Sequence, residues 1–155
     1  MGLFLKNLAF LVFIQLTAMA YVPLFVLPRQ SVSFTDCRWV GLILLVTGAM
    51  MVMWCNWDFW RTGRGTPAPI DPPKVLVRRG LYRYTRNPIY FGVLLVLTGE
   101  SILFASWPIA LYAFVAGFGF NLFVMLYEEP ALKHRFGAVY DEYSRDVPRW
   151  IPRFK

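Results

Sequence analysis

Apolar residues run in four long stretches, and polar residues gather between and after them. The stretches are Leu8 to Leu27, Trp39 to Trp57, Ile89 to Ser106 and Pro108 to Tyr127. Each is close to the ~20 residues that cross the ~30 Å hydrocarbon core of a bilayer. The pattern predicts an all-α integral membrane protein with about four transmembrane helices. Beyond Tyr127 it changes. From Glu128 to Arg145, Leu132, Phe136, Val139, Tyr140 and Tyr143 fall at helical spacing among charged residues. That spacing predicts a C-terminal amphipathic helix, lying in the interface plane or packed on the helix ends. The tail from Val147 to Arg153 carries Pro148 and Pro152, which exclude a regular helix there. Trp150 in that tail suits the headgroup region.

The first stretch has a rival reading. Lys6, an apolar run and Ala18-Met19-Ala20 resemble a signal peptide with its cleavage site. Apolar residues continue through Leu27, however, so the stretch reads as a helix that stays, kinked by Pro23 near its end. The whole chain, 1–155, then forms one domain. Residues 1–60 hold two spans, 61–87 a polar loop, 88–127 a helical hairpin and 128–155 a C-terminal segment.

Composition agrees with the pattern. The chain is 57% hydrophobic and 16% charged, against about 25% charged in soluble domains. A charge in hydrocarbon costs several kcal/mol, so lipid-facing surface must shed charges. The net charge of +7 belongs with the flanks of the spans, where Lys and Arg set orientation and favour anionic lipids. No zinc-finger or RNA-binding signature accompanies it, so nucleic acid is not the expected partner. Cys37 and Cys55 on one helix would stand about 27 Å apart, beyond the ~7 Å limit of a disulfide. With His134 the single histidine and no CxxC or HExxH, no protein-ligated metal is expected.

The loop between the second and third spans carries Arg61, Arg64, Lys74, Arg78, Arg79, Arg83 and Arg86 against one acid, Asp71. The positive-inside rule places it, both termini and the chemistry beside them on the cytoplasmic face. Gly and Pro punctuate its first part, so that part is irregular. Gly63-Arg64-Gly65 is too short for a nucleotide fingerprint, and no strand precedes it. Trp54, Trp57 and Trp60 read as an interfacial aromatic belt. A Ser106-Trp107-Pro108 turn makes the last two spans antiparallel neighbours, with Pro108 in the first turn of its helix.

Three polar features carry the chemistry. Arg83-Tyr84-Thr85-Arg86-Asn87-Pro88 leads into the third span. Taken alone, it reads first as a basic membrane flank with a helix start at Pro88. Free N–H groups at a helix N-terminus beside arginines also form an anion site. Glu128 and Glu129 stand where the fourth span ends, against both the helix dipole and the basic side of the membrane. Pairing with Arg83 or Arg86 explains them, as does a waiting cationic or hydroxyl-bearing ligand. Glu100 lies inside the third span, where an acid is either functional or a neutral hydrogen-bond donor to another helix. Asn121, expected at similar depth, is its candidate partner in a substrate pocket.

The ordered set Arg86-Asn87-Pro88-Ile89-Tyr90-Phe91-Gly92, a hydrophobic hairpin, Glu128-Glu129-Pro130, Phe136-Gly137, Tyr140, Tyr143 and Val147-Pro148-Arg149-Trp150-Ile151-Pro152 resembles the isoprenylcysteine carboxyl methyltransferase and phospholipid methyltransferase superfamily. These are membrane enzymes that use S-adenosylmethionine. The resemblance covers the chain from about Val77 onward. It implies a cofactor pocket between the ends of the last two spans and the C-terminal segment. Arg86, Asn87, Pro88, Tyr90, Gly92, Glu128 and Glu129 would bind the cofactor, with Arg86 and Glu128 also catalytic. It implies a lipid, lipid-modified or otherwise amphiphilic acceptor. Asn87 before the proline resembles the phospholipid version, whereas the carboxyl methyltransferases often have histidine there, so a carboxylate and an amine both stay open. Rival readings are a nicotinamide-dependent membrane reductase of related architecture and a non-enzymatic membrane scaffold or lipid-binding protein.

The topology has a direct test. A cysteine placed at Gly65, with Cys37 and Cys55 replaced by alanine, should resist impermeant maleimide in intact cells and react after lysis. Labelling from outside would reverse the orientation.

Overall fold

The computed structural model describes residues 15–26, 38–59, 61 and 75–152. Their regular structure is helical, with no strand among the described residues. Helix α1 is a π-helical turn, Thr17–Tyr21, continuing as Val22–Val26. Helix α2 is Arg38–Asp58. A short 3-10 turn, Gly80–Arg83, precedes α3, Pro88–Leu103. Helix α4, Trp107–Phe123, runs through a π-helical turn, Val124–Glu128, into α5, Glu129–Phe136. Helix α6 is Ala138–Asp146.

Among the described residues, two helices have the length and apolarity to cross a membrane: Arg38–Asp58 and the continuous Trp107–Phe136. The third expected span ends sooner than Ser106. Helix α3 stops at Leu103 because the chain reverses through Ala105, whose φ is 47°. Its 16 residues rise about 24 Å, short of a full bilayer core. The first expected span is described only from Gln15 to Val26, and Cys37, Trp60 and residues 62–74 of the polar loop also lie outside the described residues. Cys55 is buried and free.

The two π turns share a cause. Proline has no N–H, and its ring crowds the carbonyl four residues back. Pro23 and Pro130 each stand two residues past a π turn, and in each turn a five-residue bond replaces the usual four-residue one. The Val22 N–H reaches the Thr17 carbonyl, and the Glu129 N–H reaches that of Val124. The expected kink at Pro23 therefore takes the form of a widened turn. At the second turn the extra residue rotates α5 by about 100° relative to a continuous α-helix.

Helices α2 and α3 pack antiparallel along a glycine seam. A Cβ built on Gly48 would stand 2.5 Å from the Gly92 carbonyl oxygen, and one on Gly99 would stand 2.6 Å from that of Gly41. Both pairs are seven residues apart on each helix, so one face of each backbone lies against the other. Small residues permit this approach where lipid supplies no hydrophobic drive between helices. Above the seam, Met19, Val52, Val93, Val96, Leu97 and Ala113 form the first core layer. Toward the loop end, Cys55, Phe59, Val77, Tyr82 and Ile89 form a second. Tyr140, Tyr143 and Val147 form a third, against Leu76, Leu132 and Phe136. Outward, Ile43, Met50, Met53, Phe114 and Phe118 are exposed, an apolar surface suited to lipid.

The C-terminal segment is two helices rather than the one expected amphipathic helix. Gly137, at φ 54° and ψ −129°, takes a conformation open mainly to glycine. Helix α5 prolongs the span, and α6 turns back so that Tyr140 and Tyr143 are buried.

Gly48→Leu should force α2 and α3 apart and lower the thermal midpoint in detergent, by the ~1–3 kcal/mol of an overpacked core or more. Gly119→Ala, whose Cβ would meet nothing within 4 Å, should leave it nearly unchanged. Equal midpoints for the two variants would remove the seam from the stability argument.

Candidate active site

The end of α4, the start of α3 with the segment before it, Phe59 after α2, and helices α5 and α6 meet around a cavity of about 450 Å³. That is within the ~300–1,000 Å³ of small-molecule pockets. Phe59, Val77, Ile89 and Leu132 give it apolar walls, and Tyr82, Tyr90, Tyr140 and Tyr143 add aromatic ones. Arg86, Asn87, Glu128, Glu129, His134 and Arg135 supply the polar lining.

Glu129 is the centre of the polar side. Arg149 grips it bidentately, with Nε 2.8 Å from Oε1 and Nη2 2.7 Å from Oε2. Arg86 adds an ion pair, with Nη1 2.9 Å from Oε1. The same Nη1 donates to the Tyr140 hydroxyl at 3.3 Å. Arg86 Nε is buried with no hydrogen-bond partner among the described residues. Glu128 turns elsewhere: its Oε2 accepts from the Tyr90 hydroxyl at 2.9 Å. Tyr90 is steadied in turn by Phe120, ring centroid 4.9 Å away.

The tail closes this end as a strap. The Arg86 N–H donates to the Pro148 carbonyl at 2.9 Å. Thr85 Oγ1 donates to the carbonyls of Arg149 and Trp150, each at 3.0 Å. Asn87 Nδ2 donates to the Arg149 carbonyl at 3.1 Å. Trp150 Nε1 donates to Asn121 Oδ1 at 3.0 Å. Pro148 and Pro152 keep this tail extended, so its carbonyls are open to partners outside it. From α6, Tyr143 donates to the Tyr82 carbonyl at 2.8 Å. Burial pushes the Tyr143 phenol up, so it stays neutral and keeps that proton. The Tyr140 phenol is also raised, first by burial and then by the Glu129 charge.

The structure thus brings Arg86, Asn87, Tyr90, Glu128 and Glu129 together on one cavity. It separates the others. Pro88 is fully buried in the first turn of α3, and Gly92 faces Gly48 in the seam, so neither lines the cavity. Glu100 and Asn121 do not pair. The hairpin puts Glu100 near the turn between α3 and α4, while Asn121 sits at the opposite end under Trp150. The depth expected for Asn121 ignored the antiparallel path of α4. Asn121 anchors the strap. Glu100 lies outside the cavity, with Oε2 buried and unpartnered among the described residues. Of the two cations expected beside the acids, Arg86 pairs with Glu129 and Arg83 does not. Arg149, Thr85, Tyr140, Tyr143 and His134 were not among the expected site residues. The prolines around Arg149 were the available signal, since they leave an extended segment with unpaired carbonyls. Among the described residues no cluster of three His, Cys, Asp or Glu side chains forms a metal site.

Apolar helices that carry a half-buried carboxylate, a shared acid–arginine cluster and aromatic walls to one end mark a membrane protein with a cavity of small-molecule size. The phospholipid methyltransferase family profile matches residues 37–139, and the chain belongs to that family. Protein-S-isoprenylcysteine O-methyltransferase B of Arabidopsis thaliana is 37% identical over 78 residues, which cover 50% of this chain and 39% of that relative. The chain therefore spans about two fifths of the curated relative that it matches.

Thr85→Val keeps the buried shape and deletes both strap bonds. It should cost about 1–3 kcal/mol, read as a lower thermal midpoint, and expose Trp150 to chymotrypsin. Ser101→Ala, which loses only a bond to the Thr98 carbonyl three residues back in its own helix, should do neither. A strap that stays resistant in Thr85→Val would remove this threonine from its anchoring.

Proposed function

We propose that the chain is an S-adenosylmethionine-dependent methyltransferase acting on a membrane-embedded or amphiphilic acceptor with a carboxylate or amine head group. The observation that carries this is the cavity shared by Arg86, Glu128, Glu129 and Tyr90 at one end of apolar helices, in a chain of this family. In the same reading, 1–155 is one domain of about four spans. The site, both termini and the polar loop face the cytoplasm, and α6 lies near the interface.

The residues suit that cofactor. Arg86 has an unused buried donor, Nε, for a carboxylate. Glu128, which meets Tyr90 rather than a cation among the described residues, can accept from an ammonium or a ribose hydroxyl. The faces of Tyr90 and Tyr140 can oppose a cation or stack on a base. When bound, the cofactor supplies an activated methyl group on a sulfonium. The protein's part is positioning: it holds the acceptor's nucleophilic atom in line and keeps water out of an apolar chamber. Asn87 caps the cavity beside Arg86 and is held by the Arg149 carbonyl. No covalent enzyme nucleophile is required. The acceptor's lipid portion is accommodated on the exposed apolar side beside Phe123 and Tyr127, which line the cavity.

A scaffold reading is favoured by one fact, the ion pairing of Glu129 with two arginines. It leaves Glu128 without a reason. Titration of purified protein with S-adenosylhomocysteine and, separately, NADPH should give binding to the first alone. Glu128→Gln should weaken that binding by roughly 1.5–3 kcal/mol. Arg86→Ala should weaken it far more than Arg79→Ala, which changes an exposed residue, and lysine at 86 should restore it only in part, having lost the planar fork. Binding of NADPH alone would favour the reductase. Equal affinity across all the variants would remove Arg86 and Glu128 from the cofactor site and leave Arg86 a membrane flank, and no binding of either ligand would leave the scaffold.

A further inference from the structure

We propose that Arg149 is a positioning residue that couples the C-terminal strap to cofactor binding. This deepens the methyltransferase reading and rests on it. Arg149 does not line the cavity; Arg86 and Glu129 do. It acts on both. Its guanidinium takes both oxygens of Glu129, which fixes the carboxylate plane and presents Oε1 to Arg86 Nη1. Its carbonyl accepts from Thr85 and Asn87, the residues on either side of Arg86. One residue thereby sets the position of an arginine at the start of α3 and of an acid at the start of α5. Those two starts belong to different helices, and the strap joins them.

The charges make the arrangement sensitive to ligand. Two guanidiniums share one carboxylate, and the side chains of Arg86 and Glu129 are only 14% and 18% exposed. Without Arg149, Glu129 would keep a single bond to Arg86 and could swing to cover its free donor. Arg86 would then be less available to a ligand carboxylate, and Glu129 would have no fixed orientation. Conversely, a ligand that touches Arg86 and Glu129 holds the geometry that the strap requires. Linkage demands that the two effects be equal in binding free energy.

The test uses the full-length protein in one detergent, with S-adenosylhomocysteine as the probe. Calorimetry gives affinity, hydrogen exchange of segments 84–87 and 147–152 gives strap order, and ligand-free thermal unfolding gives stability. In the unmodified protein, ligand should slow exchange in both segments. Arg149→Ala should lose about 10-fold in affinity and lose the ligand-dependent protection of 147–152. Arg149→Lys should recover part of the affinity, since an ammonium keeps the charge but cannot bridge both oxygens. Arg145→Ala, an exposed change on α6, should behave as the unmodified protein. If Arg149→Ala does not fold, Arg149→Lys decides: full affinity with full protection overturns the proposal. Wild-type affinity in a folded Arg149→Ala also overturns it and leaves the methyltransferase reading standing. So does exchange in 147–152 that ligand leaves unchanged. An unmodified protein that ignores the probe overturns both.

Discussion

One carboxylate held by two guanidiniums organises the loop end of this molecule. Glu129 begins α5, Arg86 leads into α3, and Arg149 stands in the tail. These segments are distant in sequence, and none of them has the apolar face that packs the spans together. Directional, charge-assisted bonds join them instead. Removing one partner of a poorly exposed pair leaves the other charge without compensation, which costs more than the pair contributes. The strap, the cavity floor and the orientation of Arg86 all depend on that requirement.

The rest of the bundle supplies the frame on which this cluster sits. The glycine seam brings α2 and α3 into backbone contact along their length, so the start of α3 stands directly beside the end of α2. Pro130 forces the π turn that precedes it, and that turn sets the azimuth of α5. Glu128 therefore meets Tyr90 while Glu129 meets the arginines. Two adjacent acids point about 100° apart on a helix, and the extra residue in the turn sets which way the pair faces.

That division bears on the proposed chemistry. Glu129 is occupied with holding cations in place, and Glu128 is a half-buried acceptor with a neutral partner. A positively charged cofactor and an amphiphilic acceptor need both a firm electrostatic frame and an acceptor left accessible. The same chamber has apolar walls and opens beside helices whose outer faces are exposed and apolar. In the proposed function, polar recognition and lipid contact thus adjoin.

The hydrophobic pattern by itself determined the class: apolar runs of spanning length dictate helices, because lipid cannot satisfy an unpaired backbone. It located α2 to within a residue at each end and placed the reversal beside Pro108, and the misplaced charges singled out Arg86, Glu128 and Glu129, which the structure brings to one cavity. These are local matters of periodicity, proline chemistry and charges standing where the helix dipole disfavours them. Tertiary structure alone decided which of those residues meet. Gly92 reads like part of a ligand motif, yet it serves helix contact, because its partner Gly48 lies on another helix. Asn121 and Glu100 look paired until the antiparallel path of α4 sends them to opposite ends. Arg149 is ordinary in sequence and central in space, because an extended tail has no pattern of its own and takes its meaning from the donors it reaches.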